Sequence, residues 1–443
     1  MLDLRAAAIA ANRFGFGAKP GELAAIAQDP HGWLRRQLTQ TAPVTGGTPS
    51  SAQLSQLLAA RKERKTDVEA AKMAVKTLLE DFRVAAAKRT LDAANSPTPF
   101  HERLVQFWSN HFTVSIQRPV VVSVAIGYEN EAIRPNVLGN FRAMLGAVAA
   151  HPAMLFYLDN TYSVGPNSAA GQRSKRGLNE NLAREMLELH TVGVDGGYTQ
   201  TDVTEFAKIL TGWSVANGNE PDSGQFRFRP MVHEPGDKTV MGRTYREAGL
   251  EEATLVMDDL ARRPETARHI ATQLARHFVA DDPPQAAIDT LAKTYMTTGG
   301  DLHAVSLALI DLPQIWSDPL NKVKTPNDLV LSACRTFGIT DAAAGEGILA
   351  GLKQMGQVPF SAPSPAGWPD TADGWISPEA MMTRIEWAMA AGNKLDGHAD
   401  AREIAKSSIQ PVAADSTMFH IDNAPSPAEA LALLIVSPEF QRR

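Results

Sequence analysis

The chain has 443 residues, of which 44% are hydrophobic and 21% are charged, and its formal net charge is −6. This is an ordinary globular composition, which excludes disordered and low-complexity classes and supplies enough apolar residues for a sizeable core. The lack of a basic excess disfavours nucleic acid as a partner. No stretch approaches the roughly 18 to 20 apolar residues that span a bilayer, and the lone Cys334 excludes an internal disulfide.

The beginning of the chain contains one short apolar run, between Arg5 and Asn12. This run is too short to form the hydrophobic core of a secretory signal peptide. As written, the sequence therefore predicts a soluble, cytoplasmic protein. The alternative is a periplasmic protein from which an export signal has been removed.

Residues 52–95 predict a long helical arm, because they contain neither Gly nor Pro. The apolar residues that recur along it with heptad spacing are Val68, Ala71, Val75, Leu78, Phe82 and Ala85. This spacing is typical of a helical hairpin or coiled-coil-like seam that packs against a partner helix. The charge run from Arg61 to Lys65 is interpreted as a solvated helix face rather than as a binding patch.

The segment from His101 to Phe112 predicts a helix with one inward-facing histidine. Leu104, Phe107, Trp108 and His111 fall at i, i+3, i+4 and i+7, which is the spacing of a single buried face. A buried imidazole needs a partner, since an unpaired polar group is costly to bury. His111 is therefore either a core histidine bonded to a backbone carbonyl, or a metal ligand or acid–base group.

The central polar motif lies on a predicted helix whose apolar stripe is Leu178, Leu182, Met186 and Leu189. Glu185 falls within that stripe, so its carboxylate must be paired, metal-bound or protonated. Asn181 and Glu188 flank it and could supply oxygen ligands for a hard cation, or hold an acid–base carboxylate. The alternative is a buried ion pair with Arg184 or another basic side chain. His190 projects to the other flank of the stripe.

A capping box is predicted after this helix. It consists of Thr199 and Asp202 at the start of the next helix.

Phe226 and Phe228 alternate ahead of the turn Pro235–Asp237, which predicts a small β-hairpin over residues 225–245. The polar residues assigned to its tip are His233, Glu234, Asp237 and Lys238. They are available for binding on a loop beside a rigid scaffold, and ordinary exposed turn residues are the alternative.

A Pro/Gly/Trp-rich loop is predicted over residues 358–378. The run Ser364–Asp370, followed by Trp375, places two indoles and a carboxylate on a proline-stiffened segment. Such a loop can stack on a sugar or a peptide, with Trp368 and Asp370 as substrate-binding groups. Equally, a tryptophan can fasten the loop to the core without any role in binding.

These motifs resemble the bacterial domain-of-unknown-function family numbered eighteen hundred. The matching runs, which extend from about Asn12 to the terminal SPEFQRR, are RFGFGAKPGE, ERLVQFWSNHFTVS, NENLAREMLELHTVGVDGGYTQTDV with LTGW, HEPGDK with MGR, and PSPAGWPD. The resemblance implies a mostly helical fold, frequent export, and a phosphatase- or sulfatase-like partner encoded nearby, but no established activity. This chain has His233-Glu234 where the family usually shows His-Asp.

The patterns together predict a mainly α fold, with one continuous helical domain over residues 1–443 and a single large core. Two function classes remain. One is a metal-assisted or carboxylate-driven hydrolase or lyase, since no nucleophile elbow, phosphate loop or dinucleotide fingerprint occurs in the required context. The other is a non-catalytic binding or assembly protein that acts with an envelope partner.

The enzyme hypothesis assigns its residues to three roles. The predicted catalytic residues are Glu185, Glu188 and His111, and the predicted ligands of a divalent metal are Glu185, His190 and His233. The predicted substrate-binding residues are Asn181, Arg184, Trp368, Asp370 and Lys238. The hypothesis requires that the carboxylate of Glu185 and the imidazole of His111 meet in one cleft.

Overall fold

The computed structural model describes residues 2–39, 47–63, 67–173, 177–218, 220–317 and 320–443, and it confirms the mainly α fold class. The helices up to the central motif are α1 (Leu4–Ile9), α2 (Glu22–Ile26), α3 (Pro30–Leu38), α4 (Ser50–Glu63), α5 (Val68–Asn95), α6 (Pro99–His111), α7 (Pro119–Val122), α8 (Ala125–Tyr128), α9 (Phe141–Ala150), α10 (Pro152–Tyr157) and α11 (Asn181–Glu185). Single π turns continue three of them, over Ala10–Phe14, Glu129–Ile133 and Met186–His190.

The second half of the chain is also helical. Its helices are α12 (Gln200–Leu210), α13 (Leu250–Ala261), α14 (Pro264–Phe278), α15 (Gln285–Thr298), α16 (Leu302–Ile310), α17 (Pro313–Ser317), α18 (Pro326–Thr336), α19 (Gly345–Gln354), α20 (Pro378–Leu395), α21 (Ala401–Ser408), α22 (Asp415–Asp422) and α23 (Pro427–Val436). The predicted capping box of Thr199 and Asp202 is confirmed at the start of α12. In the described part of the chain, every helix is too short or too polar to span a bilayer.

Two small antiparallel sheets interrupt the helices. Strand β1 (Trp213–Val215) pairs with β2 (Phe226–Phe228), and β3 (Lys238–Val240) pairs with β4 (Arg243–Tyr245). The predicted hairpin insertion is confirmed as β3–β4. It is shorter than the predicted range 225–245, because β2 pairs with the preceding strand β1 and not with β3. The turn lies at residues 241–242, both at positive φ, as tight two-residue hairpins require.

The predicted helical arm consists of two helices, α4 and α5, that contact each other. Asp67 caps α5, because its side chain accepts a hydrogen bond from the backbone N–H of Ala70. The heptad residues Ala71, Leu78 and Phe82 are buried, whereas Val68 at the start of α5 is exposed. The seam is therefore confirmed from Ala71 onward. In the predicted charge run, Arg61 and Lys62 are exposed, and residues 64 and 65 lie outside the described residues.

Three aromatic rings fix the relative positions of α6 and α14. Phe14, in the first π turn, lies with its ring centroid 5.0 Å from that of Phe100 on α6 and 5.8 Å from that of Phe278 on α14. The Phe100 and Phe278 centroids are also 5.8 Å apart. All three rings are fully buried, so their packing joins the two helices through the large core.

A buried arginine ties α18 to the beginning of the chain. The Arg335 guanidinium donates to the backbone carbonyls of Gly17, Ala94 and Ser96 at 2.8–2.9 Å. It also pairs with the Glu22 carboxylate at 2.9 Å. The side chain of Arg335 is wholly buried, and these acceptors compensate for the loss of its hydration.

Replacing Arg335 with Met is expected to lower the free energy of unfolding by about 3 to 5 kcal/mol, because three buried carbonyls and Glu22 lose their partner. Urea denaturation measures the change. Arg36→Met is the matched control, since Arg36 is exposed and makes one 3.4 Å contact with Asp29. Its effect should stay within about 0.5 kcal/mol. Equal effects of the two substitutions would contradict the structural role assigned to Arg335.

Candidate functional site

A cleft of about 580 Å³ lies between α6, α14, the start of α18 and the loop over residues 357–371. Its volume is within the range of small-molecule sites, roughly 300 to 1,000 Å³. The polar residues that the two long helices contribute to its walls are Arg103, Gln106, Asn110 and His111 on α6, and His269, Gln273, Arg276 and His277 on α14. The cleft is therefore bounded by two helices that each turn a polar stripe toward it.

These stripes follow from helical periodicity. On α14, His269, Gln273 and His277 stand at i, i+4 and i+8, which places them on one face. The opposite face of the same helix carries Phe278 and packs into the core. A helix with one apolar and one polar face normally turns the polar face to solvent, and here that face lines the cleft.

His277 and Asp370 form a hydrogen-bonded pair in the cleft wall. The Nδ1 atom of His277 lies 2.6 Å from Oδ2 of Asp370. Since an ionised carboxylate can only accept, Nδ1 carries the proton and donates it to Asp370. The Nε2 atom of His277 is buried and has no hydrogen-bond partner in the described structure. Its lone pair is therefore free of a protein partner among the described residues.

The protonation states of this pair follow from burial and from neighbouring cations. Burial lowers the pKa of His277 to about 4, although Asp370 acts in the opposite direction, so the imidazole is neutral at pH 7. Burial disfavours the ionised form of Asp370, but His277, Arg443 and Lys322 outweigh it and hold the pKa of that carboxyl well below its usual range. A neutral imidazole beside an ionised carboxylate has the form of a general base.

A buried ion network supports the pair from behind. Arg443 pairs with Asp370 at 3.2 Å and with Asp328 at 2.9 Å, and Arg103 pairs with Asp328 at 3.2 Å. The side chains of Arg103 and Arg443 are at most 1% exposed. Burial, with the charges of these two arginines, lowers the pKa of Lys324 to about 7. Positive charge is therefore concentrated beneath this end of the cleft.

A second group of imidazoles lies at the other end. The ring centroid of His111 is 6.0 Å from that of His269 and 6.3 Å from that of His190. The Nε2 atom of His111 lies 3.3 Å from the carbonyl oxygen of His190, and Nε2 of His269 lies 2.9 Å from that of Leu189. The π turn Met186–His190 leaves these carbonyls free of helical partners. The predicted inward histidine thus meets backbone carbonyls beside the cleft.

The predicted residues of the central helix stand apart from the cleft. Glu185 is half-buried, and burial followed by the charge of Glu188 raises its pKa. Glu188 accepts a hydrogen bond from the Tyr198 hydroxyl at 3.0 Å. Asn181 is exposed, and Arg184 makes a local pair with Glu180 on the next turn. None of these side chains lines the cleft, so the structure does not unite Glu185 with His111 in it.

Three of the four residues predicted at an exposed hairpin tip, His233, Glu234 and Lys238, are buried instead. His233 places Nδ1 2.8 Å from the Thr211 carbonyl and Nε2 3.0 Å from Oε1 of Glu252. Lys238 donates to Oε2 of Glu252 at 2.9 Å. Burial opposes ionisation of Glu252, yet His233 and Lys238 lower its pKa to about 2. The exposed-tip prediction is wrong for all three residues. Glu252 on α13 is the buried partner of His233 and Lys238, and the Glu234 carboxylate accepts hydrogen bonds from the backbone N–H and the side-chain Nδ2 of Asn167.

The described residues contain no group of three or more His, Cys, Asp or Glu side chains that could hold a metal ion. The predicted ligands Glu185, His190 and His233 do not form such a group. Both ring nitrogens of His233 already have protein partners. The predicted divalent-metal site is therefore not supported.

The Pro/Gly/Trp loop is fastened to its surroundings and also lines the cleft. The Asn110 side chain makes two hydrogen bonds with the backbone of Trp368. Its Oδ1 accepts from the backbone N–H at 2.8 Å, and its Nδ2 donates to the backbone carbonyl at 3.0 Å. Trp368 is half-buried and lines the cleft. Trp375 is 7% exposed and donates to the Pro369 carbonyl at 2.8 Å. One indole fastens the loop, and the other forms part of the cleft wall.

Sequence reasoning missed His277, Arg276 and Arg103. The signal for the first two was present, because Arg276 and His277 stand at i+7 and i+8 from His269, on the face of α14 opposite to its apolar stripe. The apolar face of α6 was identified, but Arg103 and Gln106 on its polar face were not. Asp370 was identified as a substrate-binding residue, whereas both of its oxygens are engaged by His277 and Arg443.

Comparison with known proteins gives one match. The model of the family DUF1800, described as a protein of unknown function, matches residues 9–442. No protein with a curated function and no solved structure matches the chain. The match covers both helices of the cleft, the π turn beside it and the loop that carries Trp368 and Asp370.

The buried imidazoles predict that stability falls in mild acid. Burial and the nearby His269 lower the pKa of His190 from 6.5 to about 3, so the unfolded chain binds a proton that the folded chain does not. Stability is therefore fully present above pH 6.5 and is lost as the pH falls toward 3. Between pH 7.5 and 5.0 this one group should cost about 2 kcal/mol of unfolding free energy.

Urea denaturation at the two pH values measures this loss. In His190→Gln the pH dependence should shrink by that amount, whatever the effect of the substitution on stability at pH 7.5. His398→Gln, at an exposed position, is the control and should leave the pH dependence unchanged. An unchanged pH dependence in His190→Gln would show that His190 is not the group responsible.

Proposed function

The chain belongs to the DUF1800 family, and we propose that this protein is an enzyme, a hydrolase or lyase, whose general base is His277 oriented by Asp370. The observation that carries the proposal is that His277 lines a substrate-sized cleft, with its Nδ1 bonded to a carboxylate and its buried Nε2 without a hydrogen-bond partner in the described structure. Perturbed titratable groups in a cleft are typical of catalytic sites.

In this mechanism, Nε2 of His277 takes a proton from a water molecule or from a substrate carbon. The imidazolium that forms is stabilised by the Asp370 carboxylate at 2.6 Å, which also holds the ring in the reactive tautomer. Nε2 then returns the proton to the leaving group. Acid–base catalysis of this kind contributes roughly 10² to 10⁴ in rate.

A hydrogen-bond donor for the reacting substrate is also available. Gln106 lines the cleft, and its Nε2 atom is buried and has no hydrogen-bond partner in the described structure. Its amide oxygen is fixed, because it accepts from the Nδ2 of Asn327 at 2.6 Å. A preorganised donor of this type stabilises negative charge that develops on a substrate oxygen.

The apolar side chains of the cleft support the role of the base. Phe107 and Phe278 pack against the His277 ring, with centroid distances of 5.3 and 4.8 Å. Their packing contributes to the burial of the ring, and burial favours the neutral imidazole. Phe360 and Trp368 line the same cleft and offer apolar surface to a substrate.

The alternative function is a non-catalytic binding or assembly protein. It is supported by the apolar side chains that α5 leaves exposed on the helical arm, which are Val68, Met73, Leu79 and Val84. Exposed apolar surface of this kind can contact a protein partner. In that function, the ion network beneath the cleft would serve only to position the core elements. The hydrogen bond between His277 and Asp370 would then be structural rather than catalytic.

The tautomer of His277 is a direct test of the proposed base. In ¹⁵N-edited NMR spectra at pH 7, His277 should be neutral with its proton on Nδ1, because only that tautomer donates to Asp370. In Asp370→Asn the population of this tautomer should fall, since a neutral amide is a weaker acceptor. A wild-type His277 that carries its proton on Nε2, or that is charged at pH 7, would refute the assignment.

Catalytic activity should depend on the imidazole of His277. Across a panel of esters, amides and eliminable acids, any turnover that the protein supports should fall by about 10² or more in His277→Gln, because the base is lost. His398→Gln is the control variant and should retain full activity, since this residue is exposed and does not line the cleft. Turnover that survives in His277→Gln would contradict the proposal.

A further inference from the structure

We infer that the substrate of this cleft carries an anionic group, a carboxylate or a phosphate, and that Arg276 of α14 binds it. The inference rests on the proposed function in treating the cleft as a substrate site. Recognition of the anion, however, does not require His277 to act as a base.

Arg276 is a cation without an anionic partner in the described structure. Its Nε donates to the backbone carbonyl of Asp281 at 3.3 Å, and no carboxylate of the described residues forms an ion pair with it. It is half-buried and lines the cleft. A partly desolvated guanidinium has donors left for a ligand, and its planar fork fits two oxygens of a carboxylate or phosphate.

The other arginines of the cleft wall are already neutralised. Arg89 makes a two-pronged pair with Glu129 at 2.6–2.9 Å, and Arg103 pairs with Asp328 at 3.2 Å. Arg276 is the remaining arginine among the described lining residues, and its charge is the one left for a ligand.

The carboxylates near the cleft do not cancel this charge. Asp370 is occupied by His277, Arg443 and Lys322, and Asp328 lies between Arg103 and Arg443. The pKa of His269, two turns before Arg276 on the same helix, is lowered first by burial and also by the charge of this guanidinium. The chain as a whole carries a net charge of −6, which repels anions. The positive charge of Arg276 makes the cleft a local exception that attracts them.

The shape of the cleft limits the rest of the ligand. Its volume of about 580 Å³ suits a small organic molecule, and the Phe107, Phe360 and Trp368 side chains offer flat apolar surfaces. Gln273, one turn before Arg276, lines the same wall and adds an amide. The ligand class is therefore a compact organic anion with an apolar portion, and its oxyanion is either planar or tetrahedral.

Binding of three probes of similar size tests the inference. Benzoate, phenyl phosphate and the neutral benzamide are titrated into the full-length protein at low ionic strength, where screening is weak, and the affinity is measured by NMR or calorimetry. At least one anion should bind the wild-type protein at least tenfold more tightly than benzamide does. The preferred anion identifies the oxyanion as a carboxylate or a phosphate.

Arg276→Gln should weaken binding of the preferred anion by about tenfold or more, because one charge-assisted contact is lost. The matched control is Arg268→Gln, which removes the same charge from the same helix at a position that is 58% exposed and paired with Asp289. It should change the affinity by less than about twofold, as expected for a screened surface charge.

Anion binding should persist in His277→Gln, which separates this inference from the proposed base. If the anion binds His277→Gln but not Arg276→Gln, recognition by Arg276 is supported whatever the outcome for catalysis. Equal affinities of the wild type and Arg276→Gln, no preference for either anion over benzamide, or equal losses in Arg276→Gln and Arg268→Gln would each overturn it.

Discussion

The pairing of Asp328 and Asp370 with buried arginines is the interaction on which the candidate site depends. Arg103 and Asp328 are 225 residues apart in the chain, and Asp370 and Arg443 are 73 apart, so these ion pairs connect α6, α18, the Trp loop and the last residue. Removal of one partner would leave an uncompensated buried charge, which typically costs about 3 to 5 kcal/mol. The four segments are thereby held in a single arrangement, and that arrangement encloses the cleft.

The same network explains how the cleft can hold a reactive histidine. Buried ion pairs contribute little net stability compared with well-packed apolar side chains, because each charge loses its hydration. Here the network keeps Asp370 ionised next to His277, and the aromatic packing keeps the imidazole neutral. The buried charges of this network, which are costly to desolvate, are therefore also the charges that orient the His277 imidazole.

Helical periodicity made most of the fold predictable. The heptad seam of α5, the capping box of α12 and the inward face of α6 each depend on residues within a few turns of one another, and all three are confirmed. The limits of the β-hairpin were less predictable. Strand β2 pairs with residues 213–215, and nothing in the local alternation of Phe226 and Phe228 identifies that partner.

The sequence by itself determined the helical class, the positions of the polar motifs and the fact that Trp368 and Asp370 belong to a stiff loop. Only the tertiary structure decided which polar groups meet. Periodicity shows which face of a helix a residue occupies, but not what lies opposite. Glu185 was therefore selected, and His277, whose partner is 93 residues away, was missed. For the same reason His233, Glu234 and Lys238 were assigned to an exposed tip, although all three are buried and find partners on other segments, His233 and Lys238 on the Glu252 carboxylate of α13 and Glu234 on Asn167.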